Sequence, residues 1–395
     1  MVLREKYIKK IRPFYESDLI KIITGIRRCG KSIVLQQVRD EISRQTDNII
    51  FLEFENRRIK NLIPDIDTLL AYVDAHKKDG KCFIFLDEIQ NLENWQEACK
   101  TLRLENNSVF ITGSNSKLLS KEFTKELSGR YVSFRIRPFV YKEILEYAKE
   151  LNKDVSITDY LVWGGFPKRL EFDNEAMKDY LYDLDETIIH NDIMVRYNIQ
   201  KENLFRSVCN FVFRSNSRII SSKSIADFLS SNNEKCSVHT VSNYINYIEE
   251  AFGIDMIKPF STRTKNELSY YHKTYNADVA LNSLRCTDSR YDLDHNLENI
   301  VYNELLYMDY NLKVFNDSER EVDFVAEKDG KKYFIQVAYS VQNEKAYERE
   351  FRAFANLDNL SQKILVTTDE LDYSTSVVRH IKLKDFLLMD DLSLQ

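Results

Sequence analysis

The run Gly25-Ile26-Arg27-Arg28-Cys29-Gly30-Lys31-Ser32 limits what this chain can become more than any other feature. It fits G-x-x-x-x-G-K-[ST] at every fixed position, with an apolar stretch at 18–24 before it and a helically spaced stretch after it. Strand, glycine-bounded turn and helix in that order make a cradle. Its backbone N–H groups converge on phosphate and the helix dipole adds positive charge. Gly25, Ile26, Arg27, Arg28, Cys29, Gly30, Lys31, Ser32 and Ile33 are therefore assigned to nucleotide binding. In such a loop the lysine, here Lys31, reaches the β- and γ-phosphates and the hydroxyl, here Ser32, ligates Mg²⁺. Arg27 and Arg28 either touch phosphate or face water.

A second segment completes the expected chemistry. Phe83 to Glu88 reads as an apolar strand ending in two carboxylates. Asp87 is expected to hold Mg²⁺ through water, and Glu88 to orient or deprotonate the attacking water. The next strand, at 108–115, ends in Thr112-Gly113-Ser114-Asn115. Ser114 or Asn115 is placed there to meet the γ-phosphate or the lytic water, or else to serve turn chemistry; Asn115 is the choice made here. Arg130, where a fifth strand begins, is the candidate for stabilising transition-state charge, in cis or from a neighbouring copy.

The remaining pattern sets the architecture. Strands at 18–24, 48–56, 81–88, 108–115 and 130–136 alternate with helical stretches, which implies a parallel sheet covered on both faces. From Pro138 the pattern is helical to about Phe213. Residues 217–262 then read as a short helix at 225–229, a helix from about Ser237 to Phe252 and the start of a hairpin, the winged-helix order. A further α/β unit begins near 294, with Asp329-Gly330 as a hairpin turn.

Composition restricts the partners. Net charge is −6, which gives no general basic surface for nucleic acid. The six cysteines contain no C-x-x-C pair, so neither a zinc site nor a disulfide framework is expected. His272, His295 and His380 have no partners at metal-ligand spacing. No apolar run reaches 18 residues, and the first ten residues carry charges throughout, so a cytoplasmic protein without a membrane span is expected.

The segments ITGIRRCGKS, FIFLDEIQ, ITGSNSKLLS, LSGRYVSFRIRPFVYKEIL and WGGFP, with LENIVYNELL and EVDFVAEKDGKKYFIQVAYS later, resemble one family across nearly the whole chain. It is the prokaryotic AAA-type P-loop ATPase family with a C-terminal restriction-endonuclease-like domain of unknown function. The resemblance implies ATP as the nucleotide, Mg²⁺ and a winged helix. The expected fold class is α/β: a P-loop ATPase core at 1–137, a helical lid at 138–204, a winged-helix domain at 205–285 and a restriction-endonuclease-like domain at 286–395.

Two partners are open for the middle domain. Ser237, His239, Thr240, Ser242 and Asn243 offer polar contacts to duplex DNA at a helix N-terminus. Lys258, Arg263, Lys265 and Lys273, interleaved with Phe260, Tyr270 and Tyr271, suit phosphate. Six basic against five acidic residues over 205–262 favour a protein-binding or spacer role instead. A homo-oligomer is the arrangement in which Arg130 would act in trans. In the last domain, Glu298 or Glu304 and Asp323 occupy the places of nuclease carboxylates. Gln336 replaces an acid, however, and Ala338 stands where a lysine is required, so nuclease activity is not expected.

Overall fold

The computed structural model describes residues 2–114, 129–232, 234–257, 259–260, 272–287, 289–316, 321–355, 357 and 361–393. Packing divides the chain into two compact units. One is Met1–Pro138 with Glu250–Phe252, the other Phe139–Glu249 with Gly253–Gln395.

In the first unit the short helix α1 (Glu5–Ile11) precedes strand β1 (Ile20–Thr24). Helix α2 (Lys31–Ile42) and β2 (Ile49–Glu53) follow, then α3 (Arg57–Leu62), α4 (Ile66–His76), β3 (Phe83–Asp87), α5 (Trp95–Leu104), β4 (Ser108–Gly113) and β5 (Tyr131–Arg135). Among the described residues these five strands form one parallel sheet in the order β2–β3–β4–β1–β5. Strands β1, β3 and β4 are buried along their whole length. That explains why their sequences are continuous apolar runs rather than alternations. Trp95 lies in the core with Ile22, Leu52, Ile84 and Ile111. The chain from β1 crosses to β2 past β3 and β4. The carboxyl end of β1 therefore lies where connections leave in opposite directions, the place where open α/β sheets bind ligands.

The second unit opens with α6 (Tyr141–Glu150), α7 (Ile157–Trp163) and α8 (Asn174–Thr187), which continues into a π-helical turn at Ile188–Val195. Gly164 and Gly165 between α7 and α8 are forced by close approach. A Cβ on Gly164 would sit 1.7 Å from Asp278 Oδ1, and one on Gly165 2.0 Å from the Phe139 carbonyl oxygen. The Asp278 carboxylate accepts the Gly165 N–H at 2.7 Å.

Next come α9 (Glu202–Arg214), β6 (Arg218–Ile220), α10 (Ser222–Ser231), α11 (Val238–Glu250), β7 (Ile254–Ile257), β8 (Pro259–Phe260) and β9 (His272–Asn276). Strands β6, β9 and β7 form an antiparallel sheet in that order. Helix α10 is longer than the 225–229 expected from the apolar spacing, because Ser221, four residues before the first apolar position Ile225, closes a capping box with Ser224. Ser237 caps α11 by accepting the Thr240 N–H.

After α12 (Ala280–Ser283) and α13 (Leu293–Tyr307) the chain forms β10 (Asn311–Asn316), β11 (Glu321–Lys328), β12 (Lys331–Ala338), α14 (Glu344–Arg352), β13 (Gln362–Thr367), β14 (Val378–Lys382) and α15 (Leu383–Phe386). The mixed sheet runs β14–β13–β12–β11–β10–β8, antiparallel from β10 to β12 and parallel from β12 to β14. Asp329 and Gly330 both have positive φ, the geometry an Asp-Gly hairpin turn requires. Among the described residues no helix is long and apolar enough to cross a membrane.

Glu304 on α13 is buried and forms no salt bridge among the described residues. It accepts the Tyr141 N–H at 2.9 Å and the Tyr160 hydroxyl at 3.3 Å. It therefore serves the packing of α13 on α6 and α7, and the sequence-based alternative that made it a nuclease carboxylate is corrected. Burial first, and the charge of Glu143 second, push its pKa up to about 8. A folded value above the unfolded one means that its stabilising contribution is full below about pH 4.5 and is lost as pH rises toward 8. Glu304→Gln should remove that slope, leaving the variant about 1–3 kcal/mol more stable than the parent at pH 8.5. Urea denaturation at pH 5 and pH 8.5 would measure the difference, and equal slopes in both proteins would refute it.

Candidate nucleotide site

The loop after β1 is built by backbone conformation. Gly25 has φ +147° and Gly30 φ +101°. A Cβ on Gly25 would lie 2.2 Å from the Ile136 carbonyl oxygen, so glycine is obligatory there. Gly30 is the residue from which α2 departs. Cys29 does not face the cradle. Its thiol is buried and donates to the Ile136 carbonyl oxygen at 3.3 Å. Arg27 pairs with Glu55 at 3.6 Å and Arg28 is exposed; Ile26 is buried and Ile33 half-buried.

Lys31 is 5% exposed, an unusual place for an ammonium. Its Nζ donates to the Ile26 carbonyl at 3.2 Å and lies 3.8 Å from Glu88 Oε1. The Ser32 hydroxyl donates to Asp87 Oδ1 at 3.1 Å. A hydroxyl and a carboxylate thus stand together at the start of α2 and the end of β3, an oxygen donor set suited to Mg²⁺. Burial raises the Asp87 carboxyl above its usual pKa, and hydrogen bonds from Thr112 and Ser32 oppose that.

Thr112, near the end of β4, joins the two acids. Its hydroxyl donates to Asp87 and accepts the Glu88 N–H at 2.9 Å. Glu88 has φ +52°, a strained conformation for a residue with a side chain, and the Thr112 bond holds that turn. The Gln90 amide donates to the Glu88 carboxylate. Sequence reasoning passed over Thr112 in favour of its neighbours, although a threonine closing the apolar strand SVFIT was the available signal. Ser114 is buried, and Asn115 lies outside the described residues.

The cis half of the Arg130 expectation is corrected. It precedes β5, and its carbonyl accepts the Ile20 N–H at the amino end of β1. β1 and β5 are parallel, with Ile20 opposite Tyr131 and Thr24 opposite Arg135. Arg130 therefore lies at the far end of the sheet from the loop, about 20 Å from Gly25 along the strand direction, and does not reach the site within one chain. The arginine at the correct end of β5 is Arg135, whose guanidinium lies 4.8 Å from the Phe252 ring centre.

Comparison with known proteins agrees with this geometry. Residues 17–145 match the AAA domain family. Residues 155–288 and 294–386 match two domains of unknown function, DUF8612 and DUF4143. An uncharacterized protein of Haemophilus influenzae is 31% identical over 378 residues, covering 93% of both chains. The chain belongs to the AAA-domain family. A second relative of this AAA protein, an uncharacterized protein of Methanocaldococcus jannaschii, is 32% identical and covers 89% of the chain and 82% of its own length. The Walker-type ATPase PABY2304 of Pyrococcus abyssi shares the fold at a TM-score of 0.51 and 16% identity. That match covers 72% of this chain and 96% of the other.

The second unit of the AAA protein holds a cleft of about 1270 Å³ whose lining includes Lys273, Glu298, Glu321, Asp323, Gln336 and Glu350. Lys273, one of the residues read as suited to phosphate, is 4% exposed. Its ammonium lies 2.8 Å from Glu298, 2.9 Å from Glu321 and 3.0 Å from Asp323. Three carboxylates make the low-dielectric site tolerable for the charge, and the residue is not available to DNA. Lys258, Arg263, Lys265, Tyr270, Tyr271 and the Phe260 side chain lie outside the described residues. Gln336 accepts the Asp323 N–H and donates to Glu350, and Ala338 is buried.

Proposed function

We propose that this AAA protein binds and hydrolyses ATP with Mg²⁺ and acts as a nucleotide-driven switch. The observation that carries the reading is the convergence of Lys31, Ser32, Asp87, Glu88 and Thr112 where the loop, β3 and β4 meet. The loop's backbone N–H groups and Lys31 would hold the phosphates, and Ser32 and Asp87 would hold Mg²⁺. Bound Mg²⁺ supplies charge neutralisation at the phosphate oxygens. Glu88 accepts the proton of the attacking water, and Thr112 keeps it oriented. Arg130 retains a role only in trans, within a homo-oligomer.

The boundaries 1–137, 138–204, 205–285 and 286–395 remain our division of the chain. The order α9–β6–α10–α11–β7–β9 supports a winged helix. The arrangement α13–β10–β11–β12–α14–β13 supports a restriction-endonuclease-like domain that has lost catalysis. Lys273 weighs against DNA as partner, because the hairpin's basic set loses one member to the interior. We therefore favour a protein partner, with duplex DNA as the alternative through the exposed Ser237 and His239.

Phosphate release from Mg-ATP, measured with and without duplex DNA at low salt, tests both readings against Lys31→Ala. ATP turnover lost in the variant and indifferent to DNA is expected. Stimulation of several-fold by DNA would transfer the output to nucleic acid. No turnover by the parent protein would remove the hydrolysis reading.

A further inference from the structure

Arg4 precedes α1, 21 positions before the loop begins, and is 1% exposed. A guanidinium held that far from water must be spent on specific acceptors. Here one nitrogen, Nη1, donates to two carbonyls, Cys29 at 2.9 Å and Arg137 at 3.0 Å. Cys29 is in the phosphate loop, and Arg137 follows β5.

The Cys29 contact has a geometric consequence. A trans peptide is planar, and its C=O and N–H point in opposite directions. Drawing the Cys29 carbonyl back toward Arg4 turns the N–H of the same peptide, that of Gly30, away from Arg4 and toward the cradle. Turning this peptide plane changes ψ of Cys29 and φ of Gly30 together, and Gly30, with no side chain and φ +101°, gives the plane a freedom that another residue would restrict. Arg4 removes it.

Arg4 is itself immobilised. Its N–H donates to Gln37 Oε1 on α2 at 3.1 Å, and the Gln37 amide donates to the Val2 carbonyl at 2.7 Å. Its guanidinium lies 4.6 Å from the Tyr7 ring centre, and the Tyr7 hydroxyl accepts the Arg137 N–H at 3.3 Å. The segment before β1 thus forms a brace behind the loop, anchored to α2 on one side and to the exit of β5 on the other.

We propose that Arg4 is a positioning residue for the nucleotide: it fixes the Cys29–Gly30 peptide so that its N–H faces the bound phosphates. The proposal rests on the nucleotide reading above. Since the residue touches neither Glu88 nor Thr112, its loss should act on binding and leave the chemical step nearly intact.

The test is a fluorescence titration with a fluorescent ATP analogue and with the corresponding ADP analogue. It uses the full-length parent, Arg4→Met, Arg4→Lys and Lys31→Ala, with circular dichroism to establish folding and phosphate release to give KM and kcat. Arg4→Met should weaken both nucleotides by about 10-fold or more, because the peptide freed from a charged donor no longer presents its N–H. KM should rise in step while kcat changes by less than about 3-fold. Arg4→Lys, which keeps the charge but reaches fewer acceptors, should fall between parent and Met variant. It also provides the measurement if the Met variant does not fold. A lower melting temperature with unchanged dissociation constants in the folded variants would make Arg4 purely structural and overturn the proposal. Absence of binding by the parent would overturn the nucleotide reading and this proposal together.

Discussion

Glu88→Gln should lower ATP turnover by about 10²–10⁴-fold and leave nucleotide affinity equal to the parent's or higher. The two halves of that expectation have separate causes. Turnover falls because the amide cannot accept the proton of the attacking water. Nothing else in the described site replaces it, since Asp87 is engaged by Ser32 and Thr112. Affinity is kept because the phosphate-binding parts, the loop N–H groups and Lys31, are untouched. It is favoured because Glu88 lies 3.8 Å from the Lys31 ammonium. A neutral side chain there stops competing for that charge and stops repelling the γ-phosphate. Lys31→Ala should lose both binding and turnover. Phosphate release and equilibrium titration on the same preparations separate the two variants. Undiminished turnover in Glu88→Gln would show that Glu88 is not the base and would shift attention to the segment that begins at Asn115.

The residues legible in the sequence were those whose spacing is dictated by the ligand's own geometry. Gly25, Gly30, Lys31 and Ser32 sit on one turn and one helix start, so local order alone specifies them. Asp87 and Glu88 close an apolar strand that has no other reason to end in two acids. Residues whose role depends on a neighbour distant in sequence were not legible. Thr112 matters because β4 lies beside β3, and Arg4 because the segment before β1 folds back behind the loop. Arg130 illustrates a different failure. Its strand was identified, but a parallel strand has one end at the site and one end away, and the arginine at the site end is Arg135. Glu298 and Glu304 occupy one helix and differ by six residues, about 600° of rotation, which places them on different faces. Glu298 therefore reaches Lys273 while Glu304 is turned to Tyr141 and Tyr160. Alternation within β9 could suggest which side Lys273 faces, but not that three carboxylates from α13 and β11 wait there.

Lys273→Met should destabilise the second unit by about 3–5 kcal/mol at neutral pH. The methionine fills nearly the same space, so the loss is electrostatic. Glu298 and Asp323 would remain in an interior from which their counter-ion has gone, while Glu321, which is half exposed, can turn to water. In the parent protein burial, then the charge of Asp323, raise the Glu298 pKa to about 8, with the Lys273 ammonium pulling against them. Without the ammonium that opposition disappears and the folded value rises further. Above about pH 8 the parent's Glu298 ionises beside the ammonium while the variant's keeps its proton, so the variant's deficit should widen there; from pH 5 to 7.5 both folded carboxyls keep the proton and both proteins lose stability at the same slope. Adding Glu298→Gln to Lys273→Met should recover part of the stability at neutral pH and flatten the pH dependence, because a neutral amide can accept the Tyr275 hydroxyl that Glu298 now accepts at 2.6 Å. Urea denaturation of the parent and of the single and double variants at pH 5, 7.5 and 9 would measure these terms. If Lys273→Met is no less stable than the parent at pH 7.5, the three carboxylates do not depend on the ammonium, and Lys273 is free to leave the cleft for a phosphate outside it.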